Sequence, residues 1–145
     1  MVSDPTAPLP NIASRASPDT LLIGLGSQKK TNAKHIYCTL QEIKRNYRAS
    51  IYLIAAPAFK QKDSTYLILQ HHYKLPIQFI ALDTLKNLQS QCQSYSNRIY
   101  ELTGFGAVSE ACLLAIMHKK DHLLIRKMIY KGITLSLAYK GSSTP

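Results

Sequence analysis

Apolar and polar positions along the chain follow two rhythms. Thr20-Leu21-Leu22-Ile23-Gly24-Leu25 is a short apolar run of the kind that forms a buried strand. After a polar loop, Gly26 to Lys30, residues Ala33, Ile36, Leu40, Ile43 and Tyr47 recur at helical spacing, with Thr31 or Asn32 placed to cap the start. Ile51-Tyr52-Leu53-Ile54-Ala55 predicts a second buried strand, and strand–helix–strand over this length implies a right-handed crossover with parallel pairing. Asp63 or Ser64 is placed to cap a helix through Tyr66, Leu67 and Leu69, and Pro76 admits a third strand, Ile77 to Ile80. Asp83 or Thr84 is expected to cap a short helix carrying Leu85 and Leu88, and Ala107 to His118 reads as a buried helix.

The C-terminal part changes rhythm. Leu123 to Met128 predicts a strand, and Ile133, Leu135, Leu137 and Tyr139 alternate with Thr134, Ser136 and Ala138 as a half-buried strand does. A turn at Tyr130-Lys131-Gly132 pairs the two as an antiparallel hairpin. The fold class expected is α/β: a three-layer α/β/α sandwich around a mixed sheet of about five strands.

Composition narrows this further. At 145 residues, 46% hydrophobic and 18% charged, the chain suits one globular domain. Residues 1–18 hold four prolines and no apolar periodicity, so they are expected to be a flexible tail, as are residues 141–145, with the folded domain spanning 19–140. No apolar run approaches the roughly 20 residues of a membrane-spanning helix, and the N-terminus lacks a secretory signal. Cys38, Cys92 and Cys112 are odd in number and widely spaced, which argues against a disulfide framework or zinc cage and for a cytoplasmic chain with reduced thiols. The histidine positions offer no metal set, and no cofactor motif is present.

Net charge is +10, all of it on residues 19–145, which favours an anionic partner: nucleic acid, a membrane surface or a polycarboxylate. Three segments can receive one. Gly24-Leu25-Gly26-Ser27-Gln28-Lys29-Lys30-Thr31, between a strand and a helix, can cradle an anion on backbone N–H groups and the helix N-terminus, with Lys29 and Lys30 adding charge. The same residues also suit an ordinary turn with solvated lysines. Gly104-Phe105-Gly106-Ala107-Val108-Ser109-Glu110-Ala111 likewise opens a helix, and Glu110 in its first turn suits either a cap or a polar contact to ligand. Lys60 and Lys62 follow the second strand and should project to the same sheet edge as the first glycine loop, where open α/β sheets bind ligands.

These segments, followed by Leu124-Ile125-Arg126-Lys127 and Ile133 to Ala138, resemble in their order the cobalamin-biosynthesis family of CobE and the C-terminal domain of CbiG, over about residues 20–140. Gly24, Leu25, Gly26, Lys30 and Thr31 match the family's glycine loop, G-[IL]-G-C-R-[RK]-[GN]-T, while Ser27 stands at its Cys and Gln28 at its Arg. Lys60 and Asp63 match part of a D-x-K-x-x-E segment, with Ala58 at the first acid. Gly104, Ala107, Val108, Glu110 and Ala111 keep the G-x-x-[SA]-V-x-E-A segment, and Lys127 the terminal basic strand.

The resemblance implies a domain acting in corrin-ring construction, with a tetrapyrrole or corrin intermediate as partner and other pathway enzymes beside it. Gly24, Gly26, Ser27, Lys29, Lys30, Thr31, Lys60, Gly104, Gly106, Ser109, Glu110 and Lys127 are then the expected substrate-binding residues. The first expectation is an accessory protein holding a carboxylate-rich precorrin or cobalt-precorrin, with no cofactor or bound metal of its own. The second is a hydrolase opening the cobalt-precorrin-5A lactone, with Glu110 as acid or base. The third is a basic nucleic-acid binder, for which no recognised motif is present.

Overall fold

The computed structural model describes residues 19–27, 31–92 and 108–141. The predicted tails therefore lie outside the described residues, apart from Gly141, as does most of the polar stretch from Cys92 to Leu102. Strand β1 (Asp19–Ser27) leads to helix α1 (Ala33–Tyr47), β2 (Ala49–Pro57), a single turn at Ala58–Lys60, α2 (Ser64–His71), β3 (Ile77–Ile80) and α3 (Leu82–Leu88). Helix α4 (Val108–Ile116) and the strands β4 (His122–Tyr130) and β5 (Ile133–Tyr139) are the remaining elements among the described residues. The five strands form one mixed sheet in the order β3-β2-β1-β5-β4: β1, β2 and β3 are parallel, and β5 pairs antiparallel with both β1 and β4.

Strand alternation divides the core between two faces. Leu21, Ile23, Leu25, Ile54, Leu135 and Leu137 pack under α1 and α2, meeting Ile36, Leu40, Ile43 and Leu69. Leu22, Ala55, Ile80 and Ala138 pack on the other face, against Leu85 of α3 and Ala111, Cys112, Leu113 and Ile116 of α4. Each fully buried Leu or Ile contributes about 1.5–3 kcal/mol, so these two layers dominate the stability of the domain. Among the described residues no helix is long and apolar enough to cross a membrane.

Caps set both ends of α1 and the start of α2. Asn32 accepts from the Lys34 and His35 amides at 2.7 and 3.4 Å, and Asp63 accepts from the Thr65 amide at 2.8 Å. Arg48 closes α1 in the left-handed conformation, with Lys44 and Arg45 in the last turn answering the helix dipole. Helix α3 departs from expectation: it starts at Leu82, and neither Asp83 nor Thr84 caps it. Ile80 and Leu85, both buried against α4, set the start of this short helix, and Asp83 contributes charge within its first turn. Helix α4 stops at Ile116, short of His118, whose amide donates to the Asp121 carboxylate at 2.7 Å. The other carboxylate oxygen of Asp121 receives the Gly141 amide at 2.7 Å, tying the end of the described chain to that loop. Lys131 and Gly132, with φ of 50° and 84°, make the two-residue turn between β4 and β5.

Candidate functional site

The carboxyl end of β1 is where the two faces come closest to a common function. Gly26 and Ser27 are its last residues, and alternation turns them to opposite faces. On the α2 side, the Ser27 hydroxyl is 2.8 Å from the Tyr66 phenol. Lys60 lies along the Tyr66 ring, its Nζ 5.8 Å from the centroid and 3.9 Å from Asp63, with its side chain only 12% exposed. Thr65 donates to the Thr31 carbonyl at 3.0 Å. Ser27, Thr31, Lys60, Asp63, Thr65 and Tyr66 thus form one connected polar cluster. It is built by the ends of β1 and β2 and by the first turn of α2.

On the α4 side, Gly24 lies directly beneath the helix: a Cβ there would collide with the Ser109 carbonyl and press on Leu113. A Cβ at Gly26 would have ordinary room, 3.7 Å from Thr134 and 4.0 Å from Ser109 Cβ. Ser136, opposite Gly24 on β5, sits 3.0 Å from Ser109 Oγ and 2.6 Å from the Arg126 carbonyl. The carbonyl can only accept, so it takes the Ser136 proton, and Ser109 donates to Ser136. Glu110 is fully buried and receives Arg126 Nη1 at 2.7 Å.

A β-bulge makes that ion pair possible. Ile125 pairs with Leu137 and Met128 with Leu135, so Arg126 and Lys127 together oppose Ser136 alone. Ile125 and Met128 both enter the α1 core, which leaves both basic residues to the α4 face. The pair also reaches Cys92, whose thiol is pushed up to about 11 by burial, with the Glu110 charge adding to the shift and Arg126 opposing it.

Of the residues expected from sequence, the structure brings Ser27, Thr31 and Lys60 into one cluster, with Gly26 and Ser109 on the other side of the same strand end. Lys62 is exposed beyond Lys60. Glu110 and Lys127 lie toward β4, two strands from β1, and Gly24 is occupied by helix packing. Lys29, Lys30, Gly104 and Gly106 lie outside the described residues. His71, His72, His118 and His122 are exposed at element ends. Sequence reasoning missed Tyr66, Arg126 and Ser136. Tyr66 carried a usable signal, because it lies one turn from Asp63 in a helix that follows the Lys60 loop.

Tyr66 gives the cluster a pH signature. Burial holds its phenol well above the ordinary tyrosine value, with the Ser27 bond pulling weakly the other way. Above about pH 10 the unfolded chain releases this proton while the folded one keeps it. The stabilisation is complete below that pH and is lost as pH rises further, by up to about 1.4 kcal/mol per pH unit. Denaturant unfolding between pH 8 and 11 should show a steeper alkaline loss for the wild type than for Tyr66→Phe; equal slopes would mean that the phenol is not held neutral.

A hollow of about 510 Å³ lies at the opposite end of β2, lined by Gln41, Lys44, Arg45, Arg48, Ala49 and Ser50. Its cations serve the carboxyl end of α1, where the helix dipole disfavours an anion. The hollow is shallow and open, and the polar clusters at the far edge of the sheet carry the better-defined chemistry.

Fold and site together define an α/β/α domain with a polar cluster, Lys60 and Asp63 within it, at the carboxyl edge of its parallel strands. A family model described as "Cobalamin synthesis G C-terminus" matches residues 21–138, and the chain belongs to that family, which acts in cobalamin biosynthesis. Among solved structures, CobE, a protein from the cobalamin (vitamin B12) biosynthetic pathway, superposes with a TM-score of 0.69 at 22% identity, over 85% of this chain and 92% of CobE. The cobalamin biosynthesis protein chiG from Agrobacterium tumefaciens str. C58 gives 0.64 at 16% identity, over 84% of this chain and 99% of its own. A protein from Sulfolobus solfataricus described as a homolog of cobalamin biosynthesis protein G gives 0.59 at 18% identity, over 85% of this chain but 37% of its own. At these identities the likeness is one of fold. No curated protein matches.

Proposed function

We propose that this domain binds a carboxylate-rich corrin intermediate at the carboxyl edge of β1 and holds it as an accessory protein of cobalamin synthesis. The observation that carries this reading is that one strand end, Gly26-Ser27, lies between two polar clusters: the Ser27 hydroxyl meets Tyr66 on one face, and the opposite face at Gly26 is overlain by Ser109 and Thr134. Lys60 supplies charge, and Ser27 and the Thr31 region, both partly exposed beside it, supply polar groups to a ligand at the rim. The net charge of +10 favours capture of a polyanion.

Binding is favoured over hydrolysis by the state of the reactive groups. Glu110 is fully buried and held in an ion pair, a poor arrangement for passing protons to a substrate. The Ser27 hydroxyl faces a neutral phenol, which cannot act as its base. Other enzymes of the pathway are the expected donors and acceptors of the ligand.

Absorbance titration with two corrins tests this. In cobyrinic acid the ring's side chains are free carboxylates; in cobinamide they are amides. The wild type should bind cobyrinic acid with micromolar or tighter affinity and cobinamide at least about tenfold more weakly. Lys60→Ala should weaken cobyrinic acid about five- to tenfold, the scale of one charge-assisted contact. Absence of a spectral change, or equal binding of both corrins, would sink the reading. Aldehyde release from the precorrin lactone would replace it with the hydrolase.

A further inference from the structure

Neutralising Glu110 uses only a small part of Arg126. Among the described residues Nη1 makes the 2.7 Å contact, and a guanidinium carries five N–H donors. The Arg126 side chain remains 41% exposed although its partner is fully buried. Its inner edge is fixed in the protein and its outer edge meets water. The bulge at Arg126 and Lys127 sets both on the α4 face, and Ser136 pins it through the Arg126 carbonyl. For stability alone this is a costly design: a buried carboxylate gives up its hydration, and an apolar pair would close α4 on β4 at least as well.

We infer that Arg126 is a carboxylate-binding residue of the site. Glu110 clamps one edge of the guanidinium, and the other edge takes a ligand carboxylate in a two-point contact, with Lys127 beside it as a second charge. This rests on the reading above that the ligand is a polycarboxylate, and it adds the residue that selects carboxylate over amide. Arg126 lies two strands from β1 on the α4 face, level with Gly24 through Ser136, so a ligand held there approaches the Ser109 side of the strand end and not Ser27, whose hydroxyl faces α2.

The test is the ratio of affinities for cobyrinic acid and cobinamide, measured for wild type, Arg126→Lys and the double variant Glu110→Gln/Arg126→Met, each with its thermal melt. The double variant removes both charges and keeps the pair's volume, so it folds if Arg126 serves only to neutralise Glu110. The inference expects folded proteins in which the ratio falls about tenfold in the double variant and several-fold in Arg126→Lys. A structural role would weaken both corrins alike and leave the ratio unchanged. A ratio equal to the wild type's in both folded variants overturns the inference and leaves the binding reading standing, whereas a wild type that binds neither corrin overturns both. Should the double variant fail to fold, Arg126→Lys decides on the same ratio.

Discussion

Gly24→Ala is expected to destabilise the domain by about 3–5 kcal/mol, while Gly26→Ala, two residues along the same strand, costs less than about 1 kcal/mol. The added methyl at Gly24 meets a backbone carbonyl, that of Ser109, and the Leu113 amide and Cβ at 3.0 Å behind it. A backbone cannot rotate away as a flexible side chain can, so α4 must lift from β1. That motion opens the layer formed by Leu22, Ala55, Ala111 and Leu113 and disturbs the Ser109–Ser136 contact. At Gly26 the nearest atoms stand at 3.7 Å and beyond, ordinary packing distance. Thermal unfolding of the two variants beside the wild type reads the difference, with Gly24→Ala melting roughly 10 °C lower or more. Similar melts for the two would show that α4 does not press on the strand.

Arg126→Met is expected to cost about 2–4 kcal/mol, more than the roughly 1–2 kcal/mol of Glu110→Gln. The asymmetry follows from burial. Removing the guanidinium takes the cation at 2.7 Å away from a fully buried carboxylate, whereas removing the carboxylate's charge leaves a half-exposed arginine that can turn to water. The cost of Arg126→Met falls at the lower end for a broken buried pair because that exposure discounts the attraction. Combining the two changes should recover much of the loss, giving a coupling of about 1–3 kcal/mol in a double-mutant cycle by denaturant unfolding. Strict additivity would show that the pair contributes nothing jointly.

Much of the fold was legible in the sequence because it is written in local periodicity. Ala33, Ile36, Leu40, Ile43 and Tyr47 are all buried along α1, and the alternation in β5 sends Leu135 and Leu137 to one face and Ala138 to the other. The order of the segments carried the family. Contacts made at long range were not legible. Gly24 and Gly26 look alike in a G-x-G loop, and only the arrival of α4 distinguishes them. Glu110 reads as a cap from its own helix, yet its carboxylate meets an arginine sixteen positions away. That meeting needs an extra residue in β4, and a bulge leaves no mark in an apolar–polar pattern that is already irregular.

That irregularity also bears on how the molecule keeps to itself. Among the described residues the outermost strand beyond β5 is nine residues long and two-thirds apolar, with Ile129 65% exposed, which is the kind of margin along which a stray chain could zip into a growing fibre. Its register slips against β5 twice, between Leu123 and Ile125 and between Ile125 and Met128. A straight newcomer could therefore stay in step for only a few residues before its amides and carbonyls fell out of phase. The opposite margin is a strand of four residues, too short to template much. The kink that aims an arginine thus doubles as a guard against polymerisation.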